Sequence, residues 1–546
     1  MRTATWIPFA AVAACADYPG LTPYNQGDSG PGLPVESVPA ADRLPGPALR
    51  VNEVAPGNDS LLQDELGEAD DWLELYNADA VDVALDGWRL VEGDTVWALP
   101  AGLTIAPGGH LVIWADNQPE QGPLHASFTL SDEGGDLRLV APDGAVTDDV
   151  AWGALPDDVV WGRFPSGSAA LGASIDATPG LGNPASAGTS VDPTDGMFPV
   201  DRVLRIELFA DVTSIDALRA LPYEYVPAEI VYDGVRMPVG IHIKGKWGSF
   251  RSIDGKAALK VDIDRYVPKA RLRGLEKLTL NNMVQDRSCV HEMLSYELLR
   301  TLGAPAPRTS YVELYLNGVY RGLYLNVETT DDTMLERWFD DPEGNLYEGE
   351  YGQDIPWGGW NALQIDEQGA NDVTDRSDIA GLAALLETTP SEYSVPAVDA
   401  AIDLEKTLAT LAGEVVLGHW DGYFYYPNNW RIYHDPSTGR FTVLTSGIDQ
   451  TWAWSGWFYG SSGDIGAFLL QIPSIRAQYG VELARAAETM RGMDAPTKIA
   501  AYDAVLRPYL ELDPYKEFDM ATHDWEVAST VSWAIARPDS ALGQIE

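Results

Sequence analysis

The chain has 546 residues, of which 45% are hydrophobic, and its 82 acidic and 36 basic residues give a formal net charge of -46. This length predicts roughly two to four folding units, and the hydrophobic fraction excludes a wholly disordered chain. The negative charge excludes a nucleic-acid partner, because binding to a phosphate backbone needs a basic surface. The acidic surface can serve solubility or attract a basic partner, and the composition leaves both readings open.

The first 15 residues have the features of an export signal. Met1-Arg2 is a minimal basic start, and the apolar stretch after it is too short to cross a bilayer as a mature helix. The stretch ends in Val12-Ala13-Ala14-Cys15, which resembles a bacterial lipobox. We therefore expect an exported protein, lipidated at Cys15 and anchored at the bacterial cell envelope or surface. Cleavage by an ordinary signal peptidase is the alternative, and no other apolar run is long enough for a membrane span.

Residues 16–48 are rich in proline, glycine, serine and aspartate, which predicts a disordered tether. Residues 49–186 show a β pattern instead. Short segments of nearly alternating polarity, such as 72–77, 88–91 and 110–114, are separated by glycine- and proline-rich turns. Several short strands with turns between them predict an antiparallel β-sandwich.

The same segment carries a series of motifs in a characteristic order. They are Val51-Asn52-Glu53-Val54, Asp71-Trp72-Leu73-Glu74-Leu75-Tyr76-Asn77, Leu85-Asp86-Gly87-Trp88, Leu103-Thr104-Ile105-Ala106-Pro107-Gly108 and Thr178-Pro179-Gly180-Leu181-Gly182-Asn183. Together they resemble the lamin-tail domain family. The resemblance implies an immunoglobulin-like sandwich that serves as a binding or targeting module, and it brings no catalytic residue with it.

Residues 187–196 form a second short linker, and residues 197–546 have a mixed pattern that fits one two-lobed α+β domain. The predicted strands are 202–209, 239–245, 258–264, 277–281, 311–316 and 320–327. The predicted helices are 287–302, 376–387, 401–417, 478–491 and 496–510.

A local excess of positive charge stands out between residues 244 and 277. The basic residues there are Lys244, Lys246, Arg251, Lys256, Lys260, Arg265, Lys269, Arg271, Arg273 and Lys277, against the acidic Asp254, Asp262, Asp264 and Glu276. A polyphosphate repelled by the rest of the chain would need such a segment, together with a divalent metal, to bind. The alternative is that these cations pair with acidic neighbours.

A second candidate for chemistry lies between residues 419 and 452. Asp421, then Asn428 or Asn429, and then Asp449 follow one another in a helix, loop, strand, turn, strand layout. Phosphoryl transfer needs one carboxylate to orient the attacking hydroxyl and an Asn and an Asp to hold metal on the phosphates. The spacing alone also fits two ordinary hairpins whose Asp and Asn residues cap turns.

Further motifs extend this pattern over about residues 197–540. They are Gly240-Ile241-His242-Ile243-Lys244-Gly245, Lys256-Ala257-Ala258-Leu259-Lys260-Val261-Asp262, Leu278-Thr279-Leu280-Asn281-Asn282, Asn317-Gly318-Val319-Tyr320-Arg321-Gly322, Asn345-Leu346-Tyr347, Trp420-Asp421-Gly422-Tyr423 and Gly447-Ile448-Asp449-Gln450-Thr451. In this order they resemble the CotH kinase family of atypical kinases. The resemblance implies an ATP-dependent protein kinase that uses Mg²⁺ or Mn²⁺.

The resemblance also implies roles for individual residues. Asp421 would be the catalytic aspartate, and Asp449 would bind metal together with Asn428 or Asn429. Lys260, or Lys256 as the alternative, would hold the phosphates from a strand.

Two acidic residues complete the implied nucleotide site. Glu292, on the predicted helix 287–302, would orient the lysine, and Glu328 would line the nucleotide cleft. A solvated helix face is the alternative for Glu292.

Two positions depart from the family pattern. Gly447 stands where many relatives carry an aspartate, and Glu348 stands where relatives often carry a lysine. If metal binding depended on the missing aspartate, the chain would be a pseudokinase.

We therefore expect an exported kinase that phosphorylates Ser or Thr of envelope or surface proteins. The acidic surface is compatible with a basic protein substrate. A catalytically inactive, surface-anchored binding protein is the alternative, and adenylylation is a third reading. The sequence leaves the oligomeric state and the partner of the sandwich open.

Overall fold

A computed structural model describes residues 49–366 and 375–545. The predicted export signal, Cys15 and the tether lie outside the described residues. Within these ranges the chain forms a β-sandwich, a closed β-barrel and a mainly helical region, in that order. The predicted fold class, an all-β sandwich followed by an α+β domain, is confirmed.

The sandwich consists of two antiparallel sheets and one small additional pair of strands. The strands are β1 Leu49–Ala55, β2 Trp72–Asn77, β3 Val83–Ala84, β4 Arg89–Glu92, β5 Thr95–Ala98, β6 Thr104–Ile105, β7 His110–Trp114, β8 Gly134–Val140, β9 Val146–Gly153, β10 Val160–Arg163 and β11 Leu171–Ser174. One sheet has the order β11-β10-β1-β2-β7, the other has the order β5-β4-β8-β9, and β3 pairs with β6. Buried residues such as Leu73, Leu75, Leu90 and Leu139 form the core of the sandwich.

A buried polar cluster fastens the end of the sandwich to its first two strands. Asn52 of β1 donates to Oε1 of Glu74 at 2.9 Å and to Oδ1 of Asn183 at 3.0 Å. The other carboxylate oxygen of Glu74 accepts from the backbone N–H of Gly180 at 2.6 Å. Burial, and then repulsion from Glu74, raises the pKa of Glu53 to about 8. These residues of the lamin-tail motifs therefore act in folding, by satisfying one another's buried polar groups.

The barrel follows the second linker. Its strands are β12 Val203–Phe209, β13 Val226–Tyr232, β14 Val235–Lys244, β15 Ala258–Asp262, β16 Lys277–Asn281, β17 Thr309–Leu316 and β18 Val319–Glu328. The strand order is β12-β13-β14-β15-β16-β18-β17, and the parallel pairing of β17 with β12 closes the barrel. Helix α1, Val212–Ala220, connects β12 to β13, and helix α2, His291–Thr301, connects β16 to β17.

The helical region contains a small sheet and most of the helices. The helices are α3 Asp332–Glu336, α4 Ser377–Leu386, α5 Val395–Ala401, α6 Leu404–Leu417, α7 Asp464–Leu469, α8 Pro473–Gly492, α9 Ala495–Leu512 and α10 Met520–Leu542. The sheet strands are β19 Leu346–Glu348, β20 Gln364–Asp366, β21 Trp430–Asp435 and β22 Arg440–Thr445, in the order β20-β19-β21-β22. Short 3₁₀ helices lie at Pro193–Met197, Gly359–Ala362 and Glu392–Ser394.

Close packing of α2 against α6 fixes the boundary between the barrel and the helical region. A Cβ atom on Gly413 of α6 would lie 2.4 Å from Cδ2 of Leu299 on α2, so a larger residue there would require the Leu299 side chain to move. The two helices and α8 share one buried core. None of the helices in the described ranges is both long enough and apolar enough to cross a membrane.

At least five of the ten basic residues in the segment 244–277 are paired with acidic neighbours. Lys256 Nζ lies 2.5 Å from Oδ2 of Asp513, and both side chains are buried. Lys246 Nζ lies 2.9 Å from Oε1 of Glu350. Further ion pairs join Arg251 to Glu517, Arg271 to Glu276 and Arg273 to Asp233. For these residues the structure supports pairing rather than an open phosphate-binding surface.

We expect the substitution Lys256→Met to lower the free energy of unfolding by about 3–5 kcal/mol, because it leaves the buried carboxylate of Asp513 without its cation. Urea denaturation of the full chain measures this loss. The control Arg485→Gln removes a partly exposed pair with Glu482 and should cost less than about 1 kcal/mol. Equal losses in the two variants would contradict the structural role of Lys256.

Candidate active site

Side chains from the barrel and the helical region meet at the first turn of α2. Lys244 ends β14, Asn281 ends β16, and Glu292 lies in the first turn of α2, where it is buried. The ammonium of Lys244 donates to Oδ1 of Asn281. The amide of Asn281 donates to both carboxylate oxygens of Glu292, at 3.1 and 2.9 Å. Asn281 therefore links the lysine of one element to the carboxylate of another.

The buried Asp286 fixes the start of α2. Its Oδ1 accepts from the backbone N–H of Ser288 at 2.9 Å, and its Oδ2 accepts from the backbone N–H of His291 at 2.8 Å. A carboxylate in this place satisfies N–H groups that the helix itself leaves unpaired. The Nδ1 atom of His291 lies 3.1 Å from the backbone oxygen of Asp449. This contact attaches the segment after β22 to the start of α2.

Burial and mutual repulsion disfavour charge at this position. Burial, and then repulsion from Asp286, raises the pKa of Asp449. Burial, and then repulsion from Asp449, raises the pKa of Glu292. Burial lowers the pKa of Lys244, although attraction to Glu292 partly opposes this. An arriving phosphate would therefore favour the protonated ammonium of Lys244.

Asp421 forms a second group with the two asparagines predicted beside it. Asn428 donates from Nδ2 to Oδ1 of Asp421 at 3.0 Å, and Asn429 donates from Nδ2 to Oδ2 of Asp421 at 3.0 Å. Because both amide nitrogens face Asp421, the two amide oxygens remain as possible ligands for a cation.

Two features connect the Asp421 group to Asp449. Gly447, two residues before Asp449, has a φ of 55°, and a Cβ there would lie 2.9 Å from Oδ1 of Asn429. His419, two residues before Asp421, is fully buried. Burial raises the pKa of Asp449, and attraction to His419 partly opposes this rise. The structure therefore brings the segment of Asp421 and the segment of Asp449 next to each other.

Lys260 of β15 lies on the same side of the barrel as Lys244. It pairs across the sheet with His242, and His242 and Lys244 share one face of β14 because side chains alternate along a strand. Arg431 lies 2.9 Å from Oε2 of Glu348. Attraction to Arg431, assisted by Lys260 and opposed by burial, lowers the pKa of Glu348. Glu348, which stands where relatives often carry a lysine, therefore has Arg431 as its basic partner.

Two of the predicted nucleotide-binding residues lie in other surroundings. Lys256 is in the buried ion pair with Asp513 described above. Glu328, at the end of β18, is buried and lies 2.6 Å from Nη2 of Arg308, and it also pairs with Arg337. The structure thus brings Lys260, Glu292 and Asp449 to one place and Asp421 with its asparagines beside it, but not Lys256 or Glu328. The roles assigned to the residues stay predictions.

Sequence reasoning missed three residues of this site, Lys244, Asn281 and Asp286. Each lies in or beside a recognised motif, but the lysine role was assigned to a different strand. The register between β14 and β15 decides which lysines approach α2, and a single sequence does not show it.

Comparison with known proteins agrees with both resemblances. Residues 241–540 match the family model described as CotH kinase protein, and residues 45–154 match the one described as Lamin Tail Domain. The inner spore coat protein H of Bacillus subtilis (strain 168) is 24% identical over 322 residues, which are 55% of this chain and 85% of that protein.

Two solved structures show weaker likeness. One is the Shewanella oneidensis MR-1 toxin–antitoxin complex of HipA, HipB and operator DNA, with a TM-score of 0.26 and 15% identity over 50% of this chain and 60% of that chain. The other is the Helicobacter pylori proinflammatory kinase CtkA, with a TM-score of 0.22 and 9% identity over 58% of this chain and 90% of that chain. Likenesses this low carry no conclusion about the chain.

We expect Gly447→Ala to destabilise the chain more than Gly439→Ala does. Both glycines have positive φ, 55° and 69°, so each alanine has a backbone cost of roughly 1–2 kcal/mol. A Cβ at position 439 meets nothing within 4 Å, whereas a Cβ at position 447 presses on Asn429. Thermal unfolding of both variants measures the difference, and equal melting temperatures would contradict the contact.

Proposed function

This chain belongs to the CotH kinase protein family, and we propose that it is an exported protein kinase. In this proposal the chain transfers the γ-phosphoryl group of ATP to a serine or threonine hydroxyl of an envelope or surface protein. The proposal for export rests on the first 15 residues of the sequence. The proposal for the reaction rests on the site.

One observation carries the proposal for the reaction. Lys244, Asn281 and Glu292 form a continuous hydrogen-bonded network, and Asp449 lies within electrostatic reach of it. A lysine tied to a helix glutamate beside a metal-binding aspartate is the arrangement that holds a triphosphate in protein kinases. Lys260 adds a second positive charge on the same face of the barrel.

In the proposed reaction the residues have separate tasks. Asp421 is held by hydrogen bonds from two asparagine amides, one to each carboxylate oxygen, and would orient the substrate hydroxyl and accept its proton. Lys244 and Lys260 would hold the phosphates, and Glu292 would position Lys244 through Asn281. Phosphoryl transfer depends mainly on such positioning and on charge stabilisation.

The oxygen donors of the site suit a hard divalent cation. The half-buried carboxylate of Asp449 and the amide oxygen of Asn428 or Asn429 would hold Mg²⁺ or Mn²⁺. When bound, such a cation neutralises charge on the phosphates. The pKa of Asp449 is raised first by burial and then by repulsion from Asp286. A bound cation would also offset this repulsion.

The charge of the chain suggests the class of protein substrate. With a net charge of -46, the chain would attract a basic segment and repel an acidic one. A basic envelope or surface protein is therefore the substrate that we propose.

The second candidate is a pseudokinase, and Gly447 favours it. This position has no side chain that could bind a metal, and Asn429 occupies the space where one would lie. In that case the kinase-like domain would have no transferase activity, and the sandwich would provide the function as a surface-anchored binding module.

Labelled ATP distinguishes the candidates. Purified chain is incubated with Mg²⁺ or Mn²⁺ and ATP labelled at either the γ or the α position, with a basic protein as acceptor. We expect metal-dependent transfer of the γ label, reduced about a hundredfold or more in Asp449→Asn and in Asp421→Asn. Asp340→Asn, an exposed carboxylate of the same domain, is the charge-matched control.

The results separate three cases. Transfer of the α label would indicate adenylylation. If neither label is transferred and ATP with metal does not shift the melting temperature, the chain is a binding protein. Equal transfer by the Asp449→Asn variant would remove Asp449 from the metal site.

A second pair of variants tests whether Lys244 holds the phosphates. We expect Lys244→Met to abolish the rise in melting temperature caused by ATP and metal, because it removes the ammonium tied to Asn281. Lys269→Met, in the same basic segment but exposed, should keep that rise. If Lys244→Met retains full nucleotide binding, the phosphates are held elsewhere.

A further inference from the structure

A loop of the sandwich between β1 and β2 gathers carboxylates away from the kinase-like site. Carboxylate oxygens of Asp64, Glu68 and Asp70 lie within 4.8 Å of one another. In the part of the chain that the structure describes, none of the three forms an ion pair with lysine or arginine. Three like charges at this distance repel one another unless a cation lies between them.

Buried oxygen atoms without donors point to a ligand at this loop. Among the described residues, Oδ2 of Asp64, Oδ2 of Asp70 and Oε1 of Gln121 are all buried and accept no hydrogen bond. The carboxylate of Asp64 is buried, and its other oxygen accepts from the backbone N–H groups of Leu66 and Glu68, both at 2.8 Å. The amide nitrogen of Gln121 donates to Oε2 of Glu68 at 2.8 Å, so rotation of this amide by 180° would turn its oxygen toward the same carboxylates. Buried polar atoms in folded proteins normally have a hydrogen-bond partner. The three atoms without one here are all oxygens, the atom type that binds a hard cation.

The contacts of the neighbouring His125 bear on which metal ion the loop would bind. The Nδ1 atom of His125 lies 2.5 Å from Oδ2 of Asp116, and its Nε2 atom lies 3.2 Å from Oε1 of Glu65. Both ring nitrogens are therefore engaged with carboxylates. The group of Asp64, Glu68 and Asp70 offers oxygen donors alone, which suit Ca²⁺ and not the nitrogen and sulfur preference of Zn²⁺.

We propose that this loop and Gln121 form a Ca²⁺ site in the β-sandwich, with Asp64, Glu68 and Asp70 as carboxylate ligands and the Gln121 side-chain oxygen as a fourth. Ca²⁺ takes about 6–8 oxygen ligands in irregular geometry, so water would complete the shell.

The position of the loop gives the cation a structural consequence. Gln63, next to Asp64, donates to the backbone oxygen of Arg236 on β14 at 3.1 Å and accepts from its N–H at 3.0 Å. Ser60 accepts from the backbone N–H of Arg273 at 2.7 Å. Bound Ca²⁺ would therefore stabilise the loop through which the sandwich contacts the barrel.

Terbium luminescence and thermal unfolding of the full chain test the proposal. Trp114 lies close to the site, with its ring 6.4 Å from that of His125, so excitation of tryptophan should sensitise bound Tb³⁺. We expect a saturable Tb³⁺ signal that persists in the Asp449→Asn variant and that Ca²⁺ displaces with a Kd of about 1 mM or below. Ca²⁺ should also raise the melting temperature, and a chelator should reverse the rise.

Variants assign the signal to the loop. Asp70→Asn removes a charge at Oδ2, an atom that accepts no hydrogen bond within the protein. Asp64→Asn also removes a charge but keeps an oxygen that can accept from the N–H groups of Leu66 and Glu68. Each should bind Ca²⁺ at least about tenfold more weakly. Asp94→Asn, an exposed carboxylate in the turn between β4 and β5, should bind normally, as should Asp449→Asn in the kinase-like site.

The outcomes are decisive in both directions. Loss of binding in Asp64→Asn and Asp70→Asn, with retention in both controls, supports the site. Unchanged binding in the loop variants, or no effect of Ca²⁺ up to about 10 mM, overturns it. If circular dichroism shows that Asp64→Asn does not fold, Asp70→Asn and Glu68→Gln decide.

Discussion

The hydrogen bonds from the Asn281 side-chain amide to the Glu292 carboxylate hold the candidate site together. They join the end of a barrel strand to the first turn of α2, and α2 in turn packs closely on α6 through Gly413. The loop after α6 carries Asp421. One polar contact and one close helix pair therefore set the distance between the barrel, which carries the lysines, and the segments that carry Asp421 and Asp449.

The same network provides one place on this acidic chain for the polyphosphate that we propose as its ligand. The basic segment does not form a general positive surface, because at least half of its cations are paired with acidic neighbours, as in the buried contact of Lys256 with Asp513. Lys244 instead lies where burial lowers its pKa, with Glu292 opposing the shift. A phosphate that binds there would gain an ammonium whose charge the free protein disfavours.

The sandwich uses buried polar groups in two different ways. Around Asn52 and Glu74 the groups satisfy one another, so this cluster stabilises the fold and needs no ligand. In the loop around Asp64 and Asp70, buried oxygens lack donors, which is why we assign a cation there and not at the first cluster. The cluster around Asn52 and Glu74 is more deeply buried than the loop, and the two places also differ in whether hydrogen-bond donors are present.

The amino-acid sequence by itself determined the two-part organisation, the order of the motifs, and the grouping of Asp421 with Asn428 and Asn429, since these features depend on residues near one another in the chain. Only the tertiary structure decided that Lys244 faces Glu292 and that Lys256 and Glu328 are paired elsewhere. It also showed the parallel pairing of β17 with β12 and the final helix α10, which the sequence patterns did not predict. The physical reason is that strand register and ion-pair partners depend on segments far apart in sequence, and local patterns of polarity do not contain this information.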